Sequence, residues 1–416
     1  MFPLGLAYAA LGLFGHEVRG CDLQLEVSPD QALAEGLREF DPDVVAIALR
    51  NVDSSASYDR HSYLPSFEKC IHSVKQKVPE AIVIVGGPGF SLFAETIMKR
   101  FSAIDIGVVF ESESTLSELL QRLDNPCGVS GLCYRENGKI VFSERCALGD
   151  FSALPAPDRS LFPLDDYVAA GARIGVQTKQ GCPFLCVSCT YPFLDGRSMR
   201  TRAPNDVVDE IEDLVESGAR DFFFCDSVFN VPRRHAETIC REILRRRLKI
   251  RWQAFFNESH VTQEQIILAR DAGCDLVIYG PDAGHPTTLL LYNKGHTESQ
   301  LRQAYRWCRQ ARIPYKYAFL MNGPGETFRS FFHLLGFLSQ LWITARLRFS
   351  LSTMRIYPHT ELHEIALKNG IVSKSDDLLN PRYFNPLPLR IPCAAIGRFE
   401  RLAADIIRRL QSGRRN

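Results

Sequence analysis

The residues of this chain with the clearest capacity for chemistry are three closely spaced cysteines. Cys182, Cys186 and Cys189 fall within eight residues, in the spacing C-x3-C-x2-C. Because all three lie on one short segment, their thiolates can approach one metal centre without a preceding long-range contact. Three thiolates are one short of the four cysteines that hold an ordinary [4Fe–4S] cluster, so one iron would stay open to a reactive ligand.

The same spacing leaves other interpretations open. A structural zinc site takes four ligands, commonly a second cysteine pair or a histidine pair at similar local spacing. The next cysteine after Cys189 is Cys225, inside an apolar, strand-like segment. A disulfide, or a chance grouping of three among thirteen cysteines, is also possible. The ligand count favours an open iron–sulfur site over these alternatives.

The composition is that of a globular protein with room for two domains, since 416 residues are 45% hydrophobic and 23% charged. A formal net charge of +1 gives no reason to expect a nucleic-acid or membrane-surface partner. No apolar stretch approaches the roughly 20 residues that span a bilayer, and the first residues do not have the pattern of a signal peptide. Thirteen cysteines without such a signal favour the reducing cytoplasm.

The elements that must position the cysteines begin with an alternation of strands and helices over residues 1–148. Apolar runs at 43–49 and 81–85 have the pattern of buried parallel strands, and residues 17–25 are predicted as a further strand. This alternation predicts a Rossmann-like, doubly wound parallel sheet. Ligands bind beyond the carboxyl ends of such strands. The candidate binding residues there are Arg50, Asn51, Gly86, Gly87 and Gly89.

A second domain is predicted over residues 171–365, after a linker at 149–170 that is rich in proline and aspartate, and residues 366–416 are predicted as a C-terminal extension. Six strand-then-helix units in this domain predict a partial (β/α)6 TIM-like barrel, whose chemistry sits at the carboxyl ends of the strands. The cysteines follow the first of these strands. Polar groups follow the later ones, including Asp226, Ser227, Asn230, Glu258 and Asp282.

On these residues the chain resembles the radical S-adenosylmethionine (SAM) enzymes, and in particular the branch with an N-terminal cobalamin (B12)-binding domain. The similarity extends over nearly the whole chain. Its motifs are C-x3-C-x2-C, Asp226-Ser227-Val228-Phe229-Asn230, Gly280-Pro281-Asp282-Ala283-Gly284, Asn293-Lys294-Gly295 and Gly323-Pro324-Gly325-Glu326-Thr327, with Gly86-Gly87-Pro88 upstream and Leu154-Pro155-Ala156-Pro157-Asp158-Arg159 in the linker.

The resemblance implies cofactors and roles. Cys182, Cys186 and Cys189 would hold three irons of a [4Fe–4S] cluster, whose fourth iron would bind SAM and cleave it reductively to a 5′-deoxyadenosyl radical. No catalytic residue beyond these ligands is assigned. Asp226, Ser227, Asn230, Glu258 and Asp282 would contact SAM, although helix capping or supporting hydrogen bonds explain them equally well. The cobalamin-side candidates are Arg50, Asn51, Gly86, Gly87 and Gly89.

Two features of the first domain depart from the pattern that the resemblance implies. The motif D-x-H-x-x-G, which supplies an axial histidine to cobalamin in mutase-type proteins, is absent from the sequence. Bound cobalamin would therefore lack that ligand. The chain also begins where the second element of the branch should start, so the first strand of the sheet is expected to be missing.

The expected activity is methylation of an unactivated carbon by a cobalamin-dependent radical SAM methyltransferase. A radical cyclase or rearrangement enzyme, of the anaerobic magnesium-protoporphyrin ester cyclase type, is the alternative within the same chemistry. A non-catalytic protein that binds a cluster or a corrinoid is the alternative from another class. The expected partners are a small-molecule or peptide substrate and an electron donor such as flavodoxin or ferredoxin.

Overall fold

A computed structural model of the chain describes residues 2–55, 57, 60–146, 148–345 and 348–384, without the side chains of 341–345 and 348. The described chain forms two compact units. The first extends to Ser54 and continues over Ser62–Gly181 and Phe193–Phe223, whereas the second contains Ser55–His61, Cys182–Pro192 and the chain from Phe224 onward. The predicted domain boundaries at 148, 170 and 365 stay predictions, and residues 385–416 of the predicted C-terminal extension lie outside the described residues.

The elements up to residue 224 confirm the predicted alternation of strand and helix. In chain order they are α1 (Leu4–Ala9), a 3₁₀ turn (Ala10–Gly12), α2 (Pro29–Phe40), β1 (Val44–Ala48), α3 (Leu64–Lys77), β2 (Ile82–Gly86), α4 (Pro88–Arg100), β3 (Ile106–Val108), α5 (Glu113–Leu120), β4 (Leu132–Glu136), β5 (Lys139–Phe142), α6 (Leu164–Ala169), β6 (Ile174–Val176), β7 (Lys179–Gln180), α7 (Tyr191–Leu194), β8 (Arg200–Thr201), α8 (Pro204–Glu216) and β9 (Asp221–Phe224).

The first unit is built on a five-stranded sheet in the order β1-β2-β3-β4-β5. The first three strands are parallel, as expected from their apolar sequences, and β4 and β5 are antiparallel additions. The β4–β5 connection is a two-residue hairpin in which Asn137 and Gly138 both have positive φ. An Asn-Gly pair adopts that backbone readily, so the local sequence determines the register.

The strand predicted over residues 17–25 is wrong. These residues contain no strand, and β1 forms one edge of the sheet. Apolar alternation over a few residues predicts a strand only if a neighbouring strand can satisfy the backbone N–H and C=O groups. No described strand pairs with this segment, which runs as turns and bends into α2.

The elements after residue 224 include the last four strands of the predicted barrel. They are α9 (Arg233–Arg245), β10 (Arg251–Phe256), α10 (Gln263–Asp271), β11 (Cys274–Asp282), α11 (Pro286–Leu291), α12 (Glu298–Gln310), β12 (Tyr315–Met321), α13 (Phe328–Ala345), β13 (Arg348–Thr353), β14 (Arg355–Ile356), α14 (Glu361–Lys368) and β15 (Arg382–Tyr383). All six predicted barrel strands are present, as β6 and β9 to β13.

The second unit places its strands in sequence order and buries one face of them under helices. Strands β10 to β13 are parallel neighbours. Along β12 buried and half-buried residues alternate, and the buried Tyr317 donates a hydrogen bond to the Leu301 carbonyl of α12 at 3.0 Å. Helices α10 and α12 begin at Thr262 and Thr297 with the predicted capping boxes. The half-buried face of β11 ends at Asp282, where the candidate site begins.

Among the described residues, none of the helices combines the length and the apolar composition that crossing a bilayer requires.

Candidate active site

The cysteine loop, residues 182–192, belongs to the second unit and is held there by backbone hydrogen bonds. The Val187 N–H donates to the Tyr292 carbonyl at 3.1 Å, and the Val187 carbonyl accepts from the Leu362 N–H at 2.8 Å. Within the loop the Cys189 N–H donates to the Cys186 carbonyl at 3.1 Å. Val187 lies between the second and third cysteines, so these contacts hold the loop at the point where its thiols must be placed.

Tyr292 also connects this loop to the loop after β12. Its hydroxyl accepts a hydrogen bond from the Gly323 N–H at 2.9 Å, and the ring is 1% exposed. A Cβ on Gly323 would lie 2.2 Å from that hydroxyl, which no real side chain tolerates. The glycine of the motif beginning at residue 323 is therefore explained by packing against Tyr292, a residue to which the sequence analysis assigned no role.

The three thiols lie near one another in a mostly buried environment. Cys182 is buried, and Cys186 and Cys189 are half-buried at the level of the whole residue. Burial raises the pKa of the Cys189 thiol to about 12, and the nearby Cys186 and Cys182 thiols add to this effect. Burial also raises the pKa of Cys186. Thiols in such a place ionise only when a cation compensates the charge, as a bound iron would.

The thiols of the cysteine loop fit the donor set of a [4Fe–4S] cluster. Among the described residues, no three His, Cys, Asp or Glu side chains converge as the ligands of one ion would. In a [4Fe–4S] cluster the cysteines bind different irons, so they need not converge on one point. Three neighbouring thiols on one loop are the donor set that such a cluster with one open iron requires.

Lys294 lies against this loop and is the main residue that the sequence analysis missed. It is 8% exposed, and its Nζ is 2.8 Å from Asp282 Oδ2. The positive charge of this ammonium group acts on the Cys186 thiol, and Lys294 follows two residues after Tyr292, whose carbonyl binds the cysteine loop. Burial lowers the pKa of Lys294, but the Asp282 carboxylate, together with Cys186 and Glu258, more than offsets this, so the pKa is raised and the side chain stays charged. Its only sequence signal was the Asn293-Lys294-Gly295 motif, which by itself suggests no contact.

Glu258 and His296 form a second buried pair close to Lys294. Glu258 is 3% exposed, and its Oε2 is 3.6 Å from His296 Nδ1. Burial raises the pKa of Glu258 to about 7 and lowers the pKa of His296 to about 3. Since the imidazole is neutral at neutral pH, the contact is not an ion pair despite its distance. Glu258 Oε1 and both nitrogens of His296 have no hydrogen-bond partner among the described residues.

The remaining SAM-side candidates occupy different environments. Asn230 is 1% exposed, and its side-chain amide makes two hydrogen bonds with the backbone of Asn257, at 2.8 and 3.0 Å. This is the supporting role that the sequence analysis left open, and it fixes the backbone next to Glu258. Asp226 is 2% exposed and Ser227 is half-buried, both just after β9. Their contact with SAM stays a prediction.

The cobalamin-side candidates lie in the first unit, where the loops after β1 and β2 meet. The Gly89 N–H donates to the Leu49 carbonyl at 2.9 Å, and the Leu49 N–H donates to the Gly86 carbonyl at 2.9 Å. A Cβ on Gly87 or Gly89 would lie within 2.9 Å of the Leu49 oxygen. These glycines therefore allow two strand-end loops to pack together, while Arg50 and Asn51 beside them are exposed. An exposed loop pair at the carboxyl edge of parallel strands fits a large ligand.

The buried Glu258 predicts a pH dependence of the cofactor-free protein. A carboxyl whose folded pKa of about 7 exceeds its ordinary value near 4.3 binds its proton more tightly in the folded state. Its contribution to stability is complete below about pH 4 and is lost as the pH rises towards 7. Glu258→Gln should remove this contribution, of at most about 4 kcal/mol.

Melting temperatures measured between pH 5 and 8 test this expectation. The wild type should melt at progressively lower temperature as the pH rises, and Glu258→Gln should show a shallower decline. Some decline should remain, because burial also raises the pKa of Glu326 to about 7. Glu364→Gln, on the exposed side of α14, is the matched control. If the melting temperatures of Glu258→Gln and the wild type fell equally with pH, the raised pKa of Glu258 would be contradicted.

Comparison with known proteins gives two family matches that together cover most of the chain. Residues 1–120 match the model of the B12 binding domain, and residues 176–338 match that of the radical SAM superfamily. These matches fall on the halves of the sequence that contain the paired loops after β1 and β2 and the cysteine loop.

Individual relatives share both halves. An uncharacterised methyltransferase of Pyrococcus horikoshii is 29% identical over 377 residues, which are 89% of this chain and 79% of that protein. The anaerobic magnesium-protoporphyrin IX monomethyl ester cyclase of Cereibacter sphaeroides is 27% identical over 74% of this chain, but this chain spans only 50% of the cyclase.

Among solved structures, the radical S-adenosylmethionine methyltransferase TsrM of Kitasatospora setae is similar over 89% of this chain and 73% of its own, with a TM-score of 0.79 and 25% identity. It was solved with cobalamin and a [4Fe–4S] cluster bound, and also with tryptophan and a SAM analogue. The predicted fold class, a B12-binding α/β domain followed by a radical SAM partial barrel, is confirmed by this likeness. The chain belongs to the radical SAM enzymes that contain an N-terminal B12-binding domain.

Proposed function

We propose that this protein is a cobalamin-dependent methyltransferase that transfers a methyl group to an unactivated carbon. The observation that supports it most is the cysteine loop: three neighbouring thiols, beside a buried lysine, in a chain whose other half matches a B12-binding domain. Cys182, Cys186 and Cys189 would hold the [4Fe–4S] cluster. The methyltransferases among its relatives favour methyl transfer over other outcomes of the same chemistry.

When bound, the cluster would supply the electron that cleaves SAM into methionine and a 5′-deoxyadenosyl radical, and cobalamin would supply the methyl group. The residues of the chain would prepare the place for this chemistry. The contacts of Val187 and Tyr292 fix the loop, and the burial of Glu258, His296 and Lys294 keeps water from the region beside it. Exclusion of water and of stray side chains matters because such a radical attacks whatever it meets.

On the SAM side, Asp282 and Glu258 are the candidates that the contacts favour. Asp282 pairs with Lys294, which reaches Cys186, and Glu258 lies in the same buried group. Either carboxylate could receive the amino group or a ribose hydroxyl of SAM. Asp226 and Ser227 stay candidates by motif, and Asn230 would support Glu258 through the Asn257 backbone.

On the cobalamin side, Arg50, Asn51, Gly86, Gly87 and Gly89 would receive the corrinoid at the paired loops after β1 and β2. The sequence has no D-x-H-x-x-G motif, so the corrinoid would be held without the histidine that this motif supplies. Cobalt that lacks this ligand should give the absorption spectrum of a base-off corrinoid, which reconstitution can detect.

The proposed substrate is a small molecule, as tryptophan is for the structurally similar TsrM; a peptide is the second possibility. One-electron reduction of the cluster requires a low-potential donor, and a flavodoxin or a ferredoxin would serve. We also propose a cytoplasmic location, since thirteen cysteines and an iron–sulfur cluster require reducing surroundings.

The test is product analysis after anaerobic reconstitution. The full chain is loaded with iron, sulfide and cobalamin, then incubated with SAM and a strong reductant. S-adenosylhomocysteine together with 5′-deoxyadenosine, and methylcobalamin in the protein fraction, is the expected result. A Cys182→Ala/Cys186→Ala/Cys189→Ala protein treated identically gives the background.

Each alternative has its own outcome. Deoxyadenosine without S-adenosylhomocysteine would indicate cyclisation or rearrangement instead of methyl transfer. The similarity to the cyclase of Cereibacter sphaeroides favours this alternative. Neither product from a protein that holds a full cluster would reject both enzymatic readings and leave a cluster- or corrinoid-binding protein.

A further inference from the structure

The contacts of Lys294 place a fixed positive charge beside the candidate cluster. Lys294 lies between α11 and α12, and only 10% of its side chain is exposed. A buried ammonium is costly unless partners receive its three N–H groups. One of these partners is the Asp282 carboxylate, at 2.8 Å. The Cys186 thiol lies near enough for the lysine charge to act on it, because Tyr292, two residues earlier, binds the cysteine loop through its carbonyl. A lysine is thus held between a carboxylate and a metal-ligand candidate.

The other titratable groups near Lys294 do not cancel this arrangement. Glu258, two residues after β10, has a pKa raised to about 7 by burial, which weakens its negative charge at neutral pH. His296, two residues beyond Lys294, has a pKa lowered to about 3 by burial and is neutral. Cys186 and Cys189 are the remaining titratable neighbours. The principal charges are therefore the Lys294 ammonium, which reaches Cys186, and the Asp282 carboxylate paired with it.

We propose that Lys294 is a positioning residue that raises the reduction potential of the cluster, and that Asp282 moderates this effect. The inference rests on the proposed cluster at Cys182, Cys186 and Cys189. Reduction adds one negative charge to a cluster, and a nearby buried cation stabilises the reduced form more than the oxidised form. The pair thereby makes the first electron transfer to the cluster easier.

The direct measurement is a redox titration followed by electron paramagnetic resonance. Reconstituted full-length wild type, Lys294→Met, Lys294→Arg and Asp282→Asn are compared anaerobically in the absence of SAM. Lys294→Met should have a lower midpoint potential than the wild type. At a fixed potential, its ratio of reduced to oxidised cluster should fall on the order of tenfold. Asp282→Asn should shift the potential upward, and Lys294→Arg should stay near the wild type because it retains the charge.

Lys316→Met is the matched control. Lys316 is half-buried on β12 of the same unit, and its substitution removes the same charge from a side chain that has no hydrogen bond or ion pair with the cysteine loop among the described residues. It should leave the potential unchanged. If Lys294→Met fails to take up the cluster, the other two variants still test the inference. Asp282→Asn should shift the midpoint potential upward, and Lys294→Arg should leave it unchanged.

Two failures are distinguishable. If the wild type takes up no iron and has no absorbance from a cluster, the proposed function fails at its first step. If the cluster forms in all proteins and Lys294→Met and Asp282→Asn titrate like the wild type, the inference is wrong while the cluster stands. Unchanged potentials together with weaker SAM binding in Lys294→Met would indicate that the lysine binds SAM. That result would also overturn the inference.

Discussion

Replacing Cys186 by alanine is expected to abolish the iron–sulfur centre of this protein. The brown absorbance at about 400 nm that thiolate-bound iron–sulfur clusters produce should disappear, and formation of 5′-deoxyadenosine should fall to background. The physical reason is that the loop offers three thiols for a cluster whose fourth iron must stay open. The removal of one leaves two ligands, and the nearest alternative thiol along the chain, Cys225, is outside the loop.

Iron content and absorbance after anaerobic reconstitution measure this effect, and far-UV circular dichroism establishes that the fold is intact. Cys127→Ala is the control, because Cys127 is an exposed cysteine of the first unit. It should bind as much iron as the wild type. Full iron content and full absorbance in Cys186→Ala would refute the ligand assignment, whereas loss in both variants would indicate a general failure of reconstitution.

The second large effect is expected on stability, at the buried ion-pair network of Glu210. This carboxylate is 4% exposed and binds two arginines, with Oε1 2.6 Å from Arg159 and Oε2 in contact with Arg202. Arg159 belongs to the predicted linker and also donates to the Gly175 carbonyl of β6 at 2.7 Å. Glu210 thus attaches the linker and β6 to helix α8 within the first unit.

Glu210→Ala should lower the free energy of unfolding by about 3–5 kcal/mol, because it leaves two buried guanidinium groups without their counter-charge. Urea unfolding followed by circular dichroism measures the loss. Glu216→Ala on the exposed face of the same helix should stay within about 0.5 kcal/mol of the wild type. If Glu210→Ala were as stable as Glu216→Ala, the network would have no part in holding the linker.

Much of the fold could be predicted because its signals are local. The apolar runs that become β1 and β2, the Asn-Gly hairpin at residues 137 and 138, and the capping residues Thr262 and Thr297 each act over a few positions. The predicted strand over residues 17–25 failed for the complementary reason. Its alternation is also local, but a strand requires a neighbour, and a neighbour is supplied by the rest of the fold.

The candidate site divides in the same way. The spacing of Cys182, Cys186 and Cys189 can be read directly from the sequence, since ligands on one loop need no distant partner. The placement of Lys294 cannot, because its contacts come from a residue twelve positions earlier and from one more than a hundred positions earlier. The residues next to a polar side chain in the sequence do not show whether folding will bury it or which charged group will contact it.

The sequence by itself therefore indicated the candidate ligand set and determined the alternation of elements and, through its motifs, the family. Only the tertiary structure decided which polar residues support the cysteine loop. It assigned the amide of Asn230 to the Asn257 backbone, paired Glu258 with His296, and brought the Lys294–Asp282 pair to Cys186. The reason is that spacing along the chain determines what a short segment can bind, whereas burial and charge pairing depend on which distant segments packing brings together.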